Sequence, residues 1–234
     1  MREIIFSEAQ TKIKAYHYAQ EDPNSKIVLI IYPEHPQISD MYANTAKEVF
    51  NTFVSKGFSA LRIGLDISET TPSKHTDNKN DLTMAAMALD WLHTVHPSAK
   101  SVWLAGFSSG SWLVSQLLMR RPEINRFVTI SFPVTRYEFS FLYPCPVSGL
   151  IVHGQQDSIV KFEDVLDFID SIHKQKGVSI DCELIKKADH FFRDKHEELK
   201  QTIADYIDKK IEAQPTIKSE RKKGAAKSLI AELM

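Results

Sequence analysis

Gly106-Phe107-Ser108-Ser109-Gly110 constrains the fold of this chain more than any other stretch. It follows the short apolar run Ser101-Val102-Trp103-Leu104-Ala105, which reads as a buried strand, and precedes Ser111 to Met119, which reads as a helix. A strand that turns sharply into a helix must hold one residue in a strained backbone conformation at the apex. Small residues two positions to either side let the flanking backbones approach. Gly106 and Gly110 supply that room and leave Ser108 above the strand end. A serine alone is a poor nucleophile, so chemistry here requires a base and an acid that orients it.

The rest of the chain alternates strands and helices. Ile4 to Phe6 and Thr11 to Ala19 predict two opening strands, with the turn Asp22-Pro23-Asn24 before the next. Ile27-Val28-Leu29-Ile30-Ile31 is a continuous aliphatic run, the pattern of a strand buried on both faces of a parallel sheet. A loop, Tyr32 to Pro36, leads to a helix over about Tyr42 to Lys56, with Ala46, Val49, Phe50, Phe53 and Val54 on one face and Gly57 as its stop. Phe58 to Ile63 reads as a strand, Leu65 to Asn80 as an irregular connection, and Asp81 to Val95 as a helix. Beyond the Ser111 helix come strands at Phe127 to Phe132 and Val147 to Val152, a helix over Lys161 to Gln175, a last strand Ser179 to Ile185 and a last helix Lys195 to Glu212. Strands joined by helices predict an α/β fold, a mainly parallel central sheet with helices on both faces. Ligands of such sheets sit outside the carboxyl ends of the strands, and Ser108 lies at one.

Two further residues fall at strand ends. Asp157 follows the strand that closes with Ile151-Val152-His153-Gly154, and it is a better acid than Asp164 or Asp167, which face solvent on the next helix. Asp189 adjoins the candidate base too closely. That base is His190, in Lys187-Ala188-Asp189-His190-Phe191-Phe192 between the last strand and the last helix. Singly, Asp157 reads as a turn former and His190 as a structural histidine. Together with Ser108, in order and each at a strand end, they read as one constellation. His93 and His96 are three apart on a helix, without the acidic or cysteine ligands a metal site would need. No metal or cofactor is expected.

Charge excludes other classes. Lys plus Arg number 29 against 30 Asp plus Glu, so no overall field favours nucleic acid or an anionic membrane. Cys145 and Cys182 show neither a disulfide framework nor zinc spacing, which fits a reducing, cytoplasmic location. The three-residue apolar run Ile4 to Phe6 is too short for a signal-peptide core. No segment approaches the roughly 20 apolar residues that cross a bilayer.

With these residues in view, the chain resembles the α/β-hydrolases, in particular a compact, lid-less bacterial branch with Gly-Phe-Ser-x-Gly at the nucleophile and Asp-His-Phe-Phe at the base. His153-Gly154 with Asp157 resembles the acid motif, and the likeness runs from about Ile27 to Ile211. It implies Ser108 as nucleophile, His190 as general base and acid, and Asp157 fixing the imidazole. It also implies an oxyanion hole made by the backbone N–H of Ser109 and one from the loop at Glu34 or His35. That loop departs from the branch's usual His-Pro-His-Pro and paired glycines: the prolines keep register, the first histidine and the glycines do not. The turn Arg62-Ile63-Gly64-Leu65-Asp66-Ile67-Ser68 keeps only part of its usual pattern. Glu34 brings a negative charge toward the developing oxyanion, which would weaken catalysis or select a cationic substrate.

The stretch from Phe132 to Val147 is short for the place where a lid is often inserted. An open site suits a small, soluble acyl substrate. Phe107, Pro133, Tyr137 and Phe191 are its candidate walls, with packing against the sheet edge the alternative reading of the aromatic stretch. Residues 1–212 read as one domain and 213–234 as a basic tail, solvated or forming a short helix that docks on a partner or a second copy. The expected activity is serine hydrolysis of an ester or thioester. The rival expectation, from the altered loops, is a hydrolase fold that binds without catalysing.

Overall fold

Ile27 to Ile31 forms the middle of a strand with both faces covered, because its odd and even residues enter different cores. The computed structural model describes residues 1–8, 11–34, 39–65, 79–143, 145–173 and 179–212. Its strands are β1 (Arg2–Glu8), β2 (Thr11–Tyr18), β3 (Lys26–Pro33), β4 (Phe58–Leu65), β5 (Val102–Phe107), β6 (Ile124–Ile130), β7 (Gly149–Gly154) and β8 (Ile180–Ile185). Its helices are α1 (Ser39–Ser55), α2 (Lys79–Val95), α3 (Ser109–Leu118), α4 (Phe162–His173) and α5 (His196–Glu212). One sheet runs in the order β1-β2-β4-β3-β5-β6-β7-β8. The β1 and β2 hairpin joins β4 antiparallel, and every pairing from β4 to β8 is parallel.

Ile27, Leu29 and Ile31 belong to one core that also takes in Leu89 and Leu92 of α2, Leu113 and Leu117 of α3, and Val165 and Ile169 of α4. Val28 and Ile30 belong to a second core on the other face, with Phe50 and Phe53 of α1 and Leu199 and Ile203 of α5. The period of two along the strand therefore divides the core between two helical layers. The predicted elements correspond to these, with boundaries shifted by a few residues. Tail residues 213–234 and most of the connection after β4 lie outside the described residues. Among the described residues no helix is long and apolar enough to cross a membrane.

The carboxyl rim of the sheet is stitched across its strands. The first residue after β5, Ser108, donates its N–H to Ile130 O of β6 at 2.9 Å. The first after β6, Ser131, donates to Val152 O of β7 at 3.0 Å, and the first after β7, Gln155, to Ile185 O of β8 at 3.0 Å. Each loop that leaves the sheet thus hangs on its neighbour.

Two buried polar groups mark the hairpin side. Arg62 of β4 is 8% exposed; it donates to Ala43 O at 3.1 Å, and its guanidinium lies 4.8, 5.8 and 5.9 Å from the rings of Tyr16, Tyr32 and Phe50. His17 of β2 meets His96, just past α2, with Nε2 to Nε2 at 2.9 Å, and stands edge-on to Trp91. Burial, then the positive influence of His96, Arg2 and the amino terminus, lowers the His17 pKa to about 4.

Candidate active site

Ser108 joins β5 to α3 with φ 50° and ψ −125°, a conformation outside the regions open to an ordinary L-residue. The neighbouring glycines explain how the chain tolerates it. A Cβ on Gly106 would stand 2.6 Å from Ser111 Cα, and one on Gly110 would stand 2.2 Å from Ile31 O. Both contacts are closer than a side-chain carbon permits, so α3 can press onto β3 and β5 only because these positions lack one.

Asp157 follows β7 in a tight turn, its N–H bonded to Gly154 O at 3.2 Å. Its Oδ1 accepts from the N–H groups of Ile159 at 2.8 Å and Val160 at 2.9 Å. Its Oδ2 lies 2.7 Å from His190 Nδ1. Burial alone would raise the Asp157 pKa, but the hydrogen bond and charge of His190, with the Val160 and Ile159 amides, outweigh it and hold the carboxyl below its usual range.

His190 bridges the other two. Its Nδ1 faces a carboxylate, so that nitrogen carries the proton and Nε2, 3.0 Å from Ser108 Oγ, is the acceptor. The ring is 2% exposed, stacked at 5.9 Å on Phe107 and met edge-on by Tyr42 and Phe191. A hydroxyl bonded to an imidazole whose far nitrogen is held by a buried carboxylate is the arrangement in which the hydroxyl can lose its proton as it attacks an electrophile.

His153, read in sequence only as part of the acid motif, is fully buried. Its Nε2–H donates to Val160 O at 2.9 Å and lies 3.5 Å from Asp157 Oδ2. Burial, above all, lowers its pKa despite the Val160 carbonyl and Asp157, so it is neutral near pH 7. It ties down the turn whose amides hold Asp157.

Ser109 opens α3, so its N–H lies in the first helical turn, where amides point toward the rim. Two other expected positions need correction. The Glu34 N–H donates to Leu65 O at 2.7 Å, continuing the β3 and β4 ladder, and is therefore engaged where an oxyanion donor should be open. Phe107 is 1% exposed and packs behind His190, a backing and not a pocket wall. Its side chain alternates away from the Ser111 face because Gly106 takes that face. Pro133 is buried, whereas Tyr137 and Phe191 are half-buried, with Tyr137 stacked on Trp112 at 5.4 Å. His35 lies outside the described residues. Among the described residues no group of three or more His, Cys, Asp or Glu could hold a metal ion.

The fold and this rim define a class, the α/β hydrolases, and comparison with known proteins gives the same class. The solved structure of ATU1826 from Agrobacterium tumefaciens, a protein of unknown function assigned provisionally to the α/β hydrolases, is 35% identical. The match covers 91% of this chain and 98% of that one, with a TM-score of 0.81. XC6422 from Xanthomonas campestris, an α/β serine hydrolase without a lid, shares the fold at 18% identity, 92% and 96% coverage and a TM-score of 0.74. The uncharacterized protein RP471 of Rickettsia prowazekii is 37% identical over 211 residues, 88% of this chain and 89% of its own length. No family model matches the chain. The chain belongs to the α/β-hydrolase superfamily.

Proposed function

We propose that the protein hydrolyses a small ester or thioester through an acyl-enzyme on Ser108. The observation that carries this reading is the position of His190, 3.0 Å from Ser108 Oγ and 2.7 Å from Asp157 Oδ2. In the first half-reaction Ser108 Oγ attacks the acyl carbonyl while its proton passes to His190 Nε2. The negative oxygen of the tetrahedral intermediate faces the Ser109 N–H and a second amide from the loop after β3, for which His35 is the candidate once the Glu34 N–H is engaged. Collapse expels the alcohol or thiol, which takes the proton from Nε2. Water then attacks the acyl carbon with His190 as base, the proton returns to Ser108 Oγ, and the free acid leaves. Asp157 stays ionised throughout, holding Nδ1–H and stabilising the transient imidazolium.

A short connection between β6 and β7, with one 3-10 turn at Ser140–Leu142, favours an open site and a soluble substrate. Cys145 and Cys182 are not joined in a disulfide, which suits a reducing, cytoplasmic compartment. A second reading, a binding protein on a hydrolase fold, draws on the engaged Glu34 amide. Fluorophosphonate labelling separates the two. The natural chain should be labelled, and Ser108→Ala and His190→Ala should not. A folded natural chain that resists the probe would favour the binding protein.

A further inference from the structure

The loop that carries His190 is held in an unfavourable shape. Lys187, Phe192 and Asp194 have φ of 61°, 56° and 57°, left-handed values that cost a non-glycine residue free energy, and Phe192 is fully buried as well. Such a conformation persists only where its surroundings over-determine it.

Two hydroxyls from different elements do so at consecutive peptides. Ser131 Oγ, one residue past β6, donates to the carbonyl oxygen of His190 at 2.8 Å. Thr45 Oγ1, in α1, donates to the carbonyl oxygen of Phe191 at 2.7 Å. Both residues are fully buried. Ser131 is itself left-handed, at φ 50°, and its N–H is fixed on Val152 O. Thr45 Oγ1 lies 3.2 Å from His196 Nε2, which donates into it in the tautomer protonated there and leaves the hydroxyl proton for Phe191. The Met41 carbonyl, at 3.2 Å, is the weaker competitor for that proton.

We propose that Ser131 and Thr45 are positioning residues for His190. By fixing the carbonyls of His190 and Phe191 from the sheet and from α1, they set the peptide planes on either side of Phe191 Cα and hold the imidazole between Ser108 and Asp157. The proposal rests on the reading of those three residues as the reacting group. A rotation of either plane swings the ring, and a base displaced by about 1 Å loses up to about a hundredfold in rate.

The test uses the full chain and four variants, Ser131→Ala, Ser131→Gly, Thr45→Val and Thr45→Ser. It reads the second-order rate of fluorophosphonate labelling, the thermal midpoint and the downfield NMR resonance of the His190 Nδ1 proton. Ser131→Ala and Thr45→Val should label about 10- to 100-fold more slowly and broaden the resonance. Ser131→Gly should slow labelling equally with a midpoint unchanged or raised, because glycine accepts φ 50°. Thr45→Ser, which keeps the hydroxyl, should label within about threefold of the natural chain. Lower midpoints with natural labelling rates and an unchanged resonance would make both residues merely structural and overturn the proposal. If the natural chain is not labelled, the hydrolytic reading fails by itself, and the Nδ1 resonance in the variants still decides whether the two hydroxyls hold the ring.

Discussion

A side-chain carbon on Gly154 would stand 2.6 Å from the carbonyl oxygen of Ala188. The acid loop and the base loop therefore touch backbone to backbone, and Gln156 N–H donates to that same Ala188 oxygen at 2.8 Å. This contact sets how closely Asp157 and His190 approach. Gly154→Ala should force the loops apart, costing about 1–3 kcal/mol in denaturant unfolding and slowing fluorophosphonate labelling at least about tenfold. A variant that labels at the natural rate would show that the loops have other room to adjust.

Stability should fall on mild acidification. His17 stays neutral in the fold down to about pH 4, while in the unfolded chain it takes a proton near 6.5. Between those values the unfolded state binds more protons, so this contribution is complete above pH 6.5 and is lost as pH falls toward 4, up to roughly 3 kcal/mol. His96 and His153 have lowered pKa values and act in the same direction. Asp157, whose pKa is also lowered, gives stability that is lost only below the ordinary carboxylate range. Urea unfolding at pH 7, 6 and 5 should show a clear slope for the natural chain and a shallower one for His17→Gln; equal slopes would refute the assignment.

Arg62 should not be replaceable by lysine. Its flat guanidinium lies among Tyr16, Tyr32 and Phe50 and reaches Ala43 O, a geometry that an ammonium on a flexible stem does not reproduce. Arg62→Lys should cost about 1–2 kcal/mol at neutral pH by denaturant titration. A loss below about 0.3 kcal/mol would mean that stacking contributes little here.

Glu34 directly follows β3 with an exposed side chain, and a Cβ on Gly64 would lie 2.8 Å from its Oε2. Its charge should favour cationic over anionic esters by a few-fold, an effect that salt weakens. Steady-state kinetics with a matched pair of charged esters should show that preference in the natural chain and its loss in Glu34→Gln. The same ratio in both proteins would place the carboxylate too far from the substrate to matter.

Much of this geometry was legible because it follows from local rules. Aliphatic runs such as Ile27 to Ile31 can be satisfied only between two helical layers, and Gly106 and Gly110 bracket a serine as a tight strand-to-helix turn requires. Asp157 and His190 were readable from their places at strand ends. What stayed hidden depends on partners remote in sequence. Ser131 and Thr45 bond to carbonyls 59 and 146 residues away, and neither the strand end nor the helix face around them carries a local signal. Phe107 read as a pocket wall because alternation alone does not say which layer a strand-end residue enters. Glu34 read as an oxyanion donor because a sequence does not show that its amide extends a ladder to Leu65.

The bonds from Ser108 to Ile130, Ser131 to Val152 and Gln155 to Ile185 couple the rim loops in series, each strand serving as the gauge for the next. Errors of length in such a linkage accumulate toward its far member, the loop of His190. Removing one residue between Gly154 and Asp157 would disturb the acid and everything hung beyond it, whereas a residue added to the amino-end turn at 119–123, ahead of β6, leaves the gauge untouched. The chain's tolerance for insertion and deletion is thus polarised along its strands, and engineering that respects this direction can lengthen the molecule without moving its chemistry.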